Sequence, residues 1–207
     1  MMEQRTDDWF TARLGKVTAS RIADVVAKTK TGVSASRGNY MAQLIVERLT
    51  GKPVESFSSS AMQWGTDTEP LARAAYEMAT DTMVEEIGFV EHRSIPMCGA
   101  SPDGLVGEDG LIEIKCPNTA THIETLVNGT IDNRYVLQMQ WQMACTDCIW
   151  CDFVSFDPRM PEALQMKIIR VNFNEMLVAD LENQVEQFLY EVQEKVNFLN
   201  NLKENNG

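Results

Sequence analysis

The sequence predicts an α/β fold, a central mixed β-sheet flanked by helices, built as a single domain over residues 1–207. Three observations lead there. Strand-like segments at residues 83–91, 94–99, 149–156 and 164–173 are interspersed with stretches of helical apolar spacing. Residues 101–117, SPDGLVGEDGLIEIKCP, read as a β-hairpin with its turn near residues 107–110. From Asn174 to about Lys203, the residues Leu177, Leu181, Val185, Phe188, Val192, Val196 and Leu199 recur at three- and four-residue spacing, which marks an amphipathic helix. With 207 residues and 44% hydrophobic content, the chain buries a sizeable core without help from metal or disulfides.

Taken in order, residues 7–27 read as a helix, a short break and a second helix. Trp9, Phe10 and Leu14 share one face of the first. Thr18 or Ser20 is placed to cap the second, with Ile22, Val25 and Val26 turned inward. Residues 28–39, KTKTGVSASRGN, are polar and basic and read as a mobile loop. A helix over about 40–49 is ended by Gly51 and Pro53. The Ser-rich residues 54–63 read as a loop. Residues 66–80 are helical, with Leu71, Ala75 and Met78 apolar. Pro70 is best tolerated in the first turn, which puts Glu69 near that helix's N-terminus. Beyond the hairpin, residues 119–128 and 135–146 are helical. Asp157-Pro158 bounds the strand at 149–156, and Asn174 with Glu175 opens the C-terminal helix. The apolar stripe of that helix serves either the core or a subunit contact.

The formal net charge is −12 and the pI about 4.6. Taken alone, this acidity argues against a nucleic-acid binder, because neutralising phosphates takes Lys and Arg. It is compatible with a basic groove on an otherwise acidic surface. The cysteines number five, and no signal peptide opens the chain; reduced thiols in a cytoplasmic protein fit both facts. Cys145, Cys148 and Cys151 form C-x-x-C-x-x-C. A metal cluster would need a fourth ligand that no neighbouring Cys or His group offers. The alternative is a helix end running into a buried strand, with Cys as a small hydrophobe. No apolar run reaches about 18 residues, so no membrane span is expected.

The chemistry concentrates in the hairpin. Strand alternation puts Leu111, Glu113 and Lys115 on one face and Ile112 and Ile114 on the other. The hairpin folds Asp103 back toward Glu113 and Lys115. A hard cation such as Mg²⁺ takes oxygen ligands and keeps several waters. Asp103 and Glu113 supply two such ligands, and the Ile114 backbone carbonyl is a candidate third. Lys115 could lower the pKa of an attacking water or stabilise charge developing on a phosphate. Asp-Gly is also a common turn, and a charged alternating strand can simply face solvent. Two features favour a site: Ser101-Pro102-Asp103-Gly104 precedes the hairpin, and Cys116-Pro117 stops the strand directly after Lys115.

The order of motifs resembles the phage lambda exonuclease family, the viral recombinase-type alkaline nucleases. Residues 9–20, WFTARLGKVTAS, are similar to that family's W-x3-R-x-G-x-x-T-A-S segment. Trp64-Gly65 with Glu69 is similar to W-G-x3-E. Ser101-Pro102-Asp103-Gly104 and Glu113-x-Lys115-Cys116-Pro117 resemble the nuclease core, Gln138-x-Gln140 the glutamine motif, and residues 156–160 a D-P-R-M segment. These matches span roughly residues 9–160 in the family's order.

The resemblance implies a PD-(D/E)xK, restriction-endonuclease-like core. It implies an Mg²⁺-dependent 5′→3′ exonuclease, with Mn²⁺ as a substitute ion. Such an enzyme degrades one strand at double-stranded DNA ends and leaves 3′ tails for recombination. A single-strand annealing protein as partner and a ring-shaped homotrimer are implied as well. By the same resemblance, Asp103, Glu113 and the Ile114 carbonyl bind metal, and Lys115 assists catalysis. Glu69 orients water near the metal, its plainer role being a helix N-terminal acid. Gln138, which shares a helix face with Trp141 or Gln142, contacts the scissile region. Arg13, Ser20 and Ser101 form a 5′-phosphate pocket. Lys30, with Lys28 and Arg37, tracks the DNA backbone. Two alternatives stay open: an endonuclease or 3′-directed nuclease on the same core, and a catalytically silent DNA-end-binding recombination protein.

Overall fold

The computed structural model describes residues 3–30, 32–54 and 59–205. The N-terminal part begins with α1 (Asp7–Arg13), capped by Thr6, whose hydroxyl accepts the Trp9 amide. Strand β1 (Val17–Thr18), a 3-10 turn at Ala19–Arg21 and the single-turn helix α2 (Ile22–Val25) follow. Ile22 and Val25 are buried as their spacing predicts. The shared apolar face on α1 is not a core face: no residue of that helix is buried, and Phe10 is 54% exposed. Neither Thr18 nor Ser20 caps a helix. Pairing of β1 keeps Thr18 extended, and its side chain makes no capping bond.

The described residues of 28–39 form regular structure rather than a loop. Lys28–Thr29 (β2) and Gly32–Val33 (β3) pair as a small antiparallel hairpin. Ser34 then caps α3 (Ala35–Thr50) by accepting the Ser36 N–H, so the helix starts more than a turn earlier than its apolar spacing predicts. Gly51, at φ 66°, ends it. Helix α4 (Ser60–Thr80) also starts early, because Ser59 accepts the Met62 N–H. Residues 55–58 of the expected loop lie outside the described residues. Pro70 therefore sits inside the helix rather than in its first turn, where its ring leaves one helical carbonyl without an N–H. The buried face of α4 is Thr68, Ala72 and Tyr76, whereas Leu71 and Met78 are exposed.

The strand expected at 83–91 divides into β4 (Val84–Glu85) and β5 (Val90–Glu91), which join different sheets. Then come β6 (Cys98–Ala100), β7 (Gly104–Val106), β8 (Gly110–Lys115), α5 (Thr119–Asn128), α6 (Asn133–Thr146), β9 (Trp150–Phe156), β10 (Met166–Asn172) and α7 (Glu175–Asn205). The main sheet has the order β10-β9-β8-β7-β4. Its β8–β9 pair is parallel and the others are antiparallel, so the sheet is mixed as predicted. A smaller sheet has the order β1-β6-β5. Gly107 takes φ 64° in the β7–β8 turn. Gly104 is required for another reason: a Cβ there would lie 2.2 Å from Val84 Cγ1, so only glycine lets β4 close on β7.

Strand β8 is covered on both faces. Ile112 and Ile114 pack with Val154 and Phe156 under Ala72 and Tyr76 of α4. Leu111 packs with Cys151 and Phe153 under Met139 and Met143 of α6. Burying each such aliphatic side chain contributes roughly 1.5–3 kcal/mol, and Ile112→Ala would cost about 2–5 kcal/mol through the cavity it leaves. The alternation that buries Leu111 also turns Glu113 toward α6. The C-terminal stripe serves the core: Leu181, Val185, Phe188, Val192 and Val196 are buried with α2, α3 and α6, while Leu199 is 39% exposed.

All five cysteines are free and buried. Burial raises the Cys98 and Cys116 thiols to about 12. Cys145 packs in the apolar cluster with Leu181 and Phe188, and Cys148 and Cys151 pack in a separate one with Leu111 and Phe153, as small hydrophobes. No helix among the described residues is long and apolar enough to cross a membrane.

Candidate active site

The β7–β8 hairpin gathers the predicted acids and lysine at one end of the sheet. Asp103 stands just before β7, and its Oδ2 accepts the Ile114 N–H at 2.6 Å. A strand residue's N–H and C=O leave on the same side. The Ile114 carbonyl therefore also faces the space beyond the end of β7, beside Asp103. Glu113 is fully buried. Its Oε1 accepts Gln138 Nε2 at 2.7 Å and is ion-paired with Lys115; its Oε2 accepts Gln142 Nε2 at 2.7 Å. Lys115 Nζ lies 5.1 Å from the Tyr135 ring centroid, a cation–π contact.

Burial raises the Asp103 carboxyl well above its ordinary value, and the neighbouring Glu113 charge adds to the rise. For Lys115, burial alone would disfavour the ammonium. Glu113 and Asp103 outweigh it, so the lysine holds its proton more tightly than usual. With both acids ionised, buried Glu113 and half-buried Asp103 facing one ammonium leave a local excess of negative charge. Together with the Ile114 carbonyl they make an all-oxygen donor set, which fits a hard divalent cation.

A cleft of about 700 Å³ opens onto this centre. Its lining includes Ser20, Glu69, Asp103, Ile114, Lys115 and Gln138. Glu69 does not sit at a helix N-terminus as predicted; it lies well inside α4, so the helix-dipole role falls away. Its carboxylate is held by Arg5 (2.7 Å) and Arg73 (3.2 Å) rather than turned onto the two acids.

Arg13 and Ser101 form a second polar unit. Arg13 Nη1 and Trp9 Nε1 both donate to Ser101 Oγ, at 3.1 and 3.0 Å. The Arg13 guanidinium lies 3.9 Å from the Trp9 ring centroid. Burial lowers its pKa to about 10, which leaves it a cation at neutral pH. Ser20 is exposed on the cleft lining, with Oγ 3.5 Å from Thr18 Oγ1. Lys30 is not brought to the cleft; it is exposed at the turn between β2 and β3. Arg37 is no free backbone contact either, because it is paired with Glu191 at 2.8 and 3.2 Å. The capping of α3 by Ser34 places Arg37 on a helix facing α7.

Sequence reasoning left Gln142 without a role, yet it supplies the second amide on Glu113. The i,i+4 spacing from Gln138 was the available signal. Trp9, placed by its spacing with Phe10 and Leu14 on one helix face, orients Ser101 and carries Arg13. The D-P-R-M segment acts as a brace. The fully buried Asp157 carboxylate accepts Thr119 Oγ1 (2.6 Å) and Arg159 Nε (2.7 Å). Arg159 also donates to the Pro117 carbonyl at 3.3 Å and lies over Trp64, 4.5 Å from the ring centroid. Those contacts tie the end of β8 to α4.

Residues 8–149 match the YqaJ-like viral recombinase domain. No curated protein sequence matches the chain. Among solved structures, the alkaline exonuclease LHK-Exo from Laribacter hongkongensis is 50% identical. The match covers 98% of this chain and 100% of that one, with a TM-score of 0.92. The crystal structure of LHK-Exo in complex with dAMP matches to the same extent. A phage related exonuclease from Haemophilus somnus 129PT shares the fold at 14% identity, with a TM-score of 0.71 over 89% of this chain and 96% of that one. The chain thus belongs to the YqaJ-like viral recombinase family, the lambda-type exonucleases built on the PD-(D/E)xK fold.

Proposed function

We propose that the protein is a divalent-metal-dependent exonuclease that degrades one strand of linear double-stranded DNA from its 5′ end, leaving 3′ tails for recombination. The observation that carries this reading is the junction of Asp103, Glu113 and Lys115 at the end of one hairpin, open to a cleft. Mg²⁺, with Mn²⁺ as substitute, would be held by Asp103, Glu113 and the Ile114 carbonyl. When bound it supplies Lewis acidity and charge neutralisation at the scissile phosphate.

The protein's own groups do the rest. Gln138 and Gln142 fix both oxygens of Glu113, so the carboxylate is positioned before substrate arrives. The firmly protonated Lys115 stabilises negative charge developing on the phosphate and is not a base at working pH. Arg13 and Ser101 offer a guanidinium and a hydroxyl to a terminal 5′-phosphate, with Ser20 on the cleft lining as a further donor. Glu69 orients water at the centre once one of its arginines releases an oxygen. A single-strand annealing protein and a homotrimeric ring complete the proposal; sedimentation of the purified protein tests the ring.

The deciding assay digests asymmetrically end-labelled linear duplex, alongside closed circular duplex, with Mg²⁺, Mn²⁺, Ca²⁺ or EDTA. Loss from 5′ ends of linear DNA with Mg²⁺ and none with EDTA is the expected result. Cleavage of closed circles or loss from 3′ ends would overturn the polarity. Metal-free binding without any product would overturn the enzyme.

A further inference from the structure

The segment ahead of α1 is fastened to the wall of the cleft. Gln4 Nε2 donates to the carbonyls of Ile87 (2.8 Å) and Pro102 (2.7 Å), the latter being the residue next to Asp103. Two residues on, Thr6 caps α1. Between these anchors Arg5 holds a left-handed backbone, φ 66°, and its side chain lines the cleft to meet Glu69 at 2.7 Å. The arginine side chain is 50% exposed. An ion pair that solvent reaches returns less stability than a left-handed backbone costs a residue carrying a Cβ. Glu69 also has Arg73, which it shares with Glu86, so Arg5 is not its sole cation. The cleft thus presents an arginine fork, anchored on both sides, whose present partner is replaceable.

We infer that Arg5 is a DNA-backbone contact: when a strand enters the cleft, its guanidinium leaves Glu69 for a phosphate of that strand. The inference rests on the nuclease reading above. The planar fork suits two phosphate oxygens. Its departure frees one oxygen of Glu69 toward the Asp103–Glu113 centre, so strand entry and assembly of that centre are coupled through one side chain.

The test compares wild type, Arg5→Gly and Arg5→Lys on a 5′-phosphorylated linear duplex, with Ca²⁺ for binding and Mg²⁺ for turnover. Arg93→Gly makes the same charge change at a residue paired with Asp147 outside the cleft and controls for net charge. Arg5→Gly is expected to bind about tenfold more weakly, with a slope of log affinity against log salt shallower by about one. Its loss falls on KM more than on kcat. It melts no lower than wild type, because glycine accepts φ 66° without strain. Arg5→Lys is expected to keep the salt slope at intermediate affinity. Unchanged affinity and slope in Arg5→Gly, an equal loss in Arg93→Gly, or a lowered Tm in Arg5→Gly would each overturn the inference. A wild type that leaves the duplex intact sinks the nuclease reading instead, and that outcome is separate from these.

Discussion

Replacing Gln142 by Met separates the two things its amide does. The amide nitrogen donates at 2.7 Å to Glu113 Oε2, both residues being fully buried. A hydrogen bond to a buried charge contributes about 1.5–3 kcal/mol. The amide oxygen of the same side chain is buried without a partner, which costs about 1–3 kcal/mol. Methionine has a similar length and removes both atoms. The two effects cancel to within about 2 kcal/mol, so Tm moves by no more than about 8 °C for a chain of this size. Metal binding has no such offset. Glu113 loses one of the two amides that fix its rotamer, and loss of a partner of this kind weakens metal affinity about 10–100-fold, or about 1.4–2.7 kcal/mol. The assay is the Mg²⁺ dependence of duplex degradation, paired with melting curves with and without Mg²⁺. An unchanged Mg²⁺ half-saturation, or a metal-free Tm lower by more than about 10 °C, would refute the reasoning.

Further outcomes follow from the same geometry. Asp103→Ala, Glu113→Ala and Lys115→Ala are each expected to abolish degradation while circular dichroism stays native; full activity in Glu113→Ala would defeat the assignment. Asp103 binds its proton more tightly folded than unfolded. Its contribution to folding is therefore complete below the ordinary carboxylate range and is lost as pH rises through its raised value. A cation must displace that proton, so the Mg²⁺-induced rise in Tm is expected to grow with pH over this window; a rise that is flat with pH would contradict the shift. Asp157 moves the other way, held down to about 2 first by Arg159 and further by Thr119. It stabilises the fold above pH of about 4 and this is lost between about 4 and 2. Acid melts of Arg159→Ala should lack that step, and an identical profile would remove the brace. Wild type is expected to prefer 5′-phosphorylated over 5′-hydroxyl ends and Arg13→Ala to lose the preference; equal rates in wild type would take the pocket role from Arg13 and Ser101.

The parts of this site that the sequence made legible are those that local rules govern. The period of two in residues 110–115 and the glycine turn are short-range signals, so the faces of Glu113, Lys115 and Ile114 could be read directly. The C-terminal stripe was equally plain, because 3.6-residue periodicity persists over seven apolar positions. Other features depend on contacts between distant segments. Glu113 and Gln142 are 29 residues apart, and Trp9 and Ser101 are 92 apart; no periodicity announces either contact. Pro70 argued for a late start to α4, but Ser59 caps the helix a full ten residues earlier than Glu69, and packing of Ala72 and Tyr76 on the sheet outweighs the cost of an interior proline. A left-handed Arg5 has no sequence signature at all, because non-glycine residues rarely adopt that backbone.

The central claim is that Asp103, Glu113 and the Ile114 carbonyl hold one divalent ion beside Lys115. Anomalous diffraction from crystals soaked in Mn²⁺ tests it most directly. The account predicts a manganese peak between the two carboxylates and that carbonyl, absent from Glu113→Ala crystals. A peak elsewhere in the cleft, or one that survives the substitution, would contradict it.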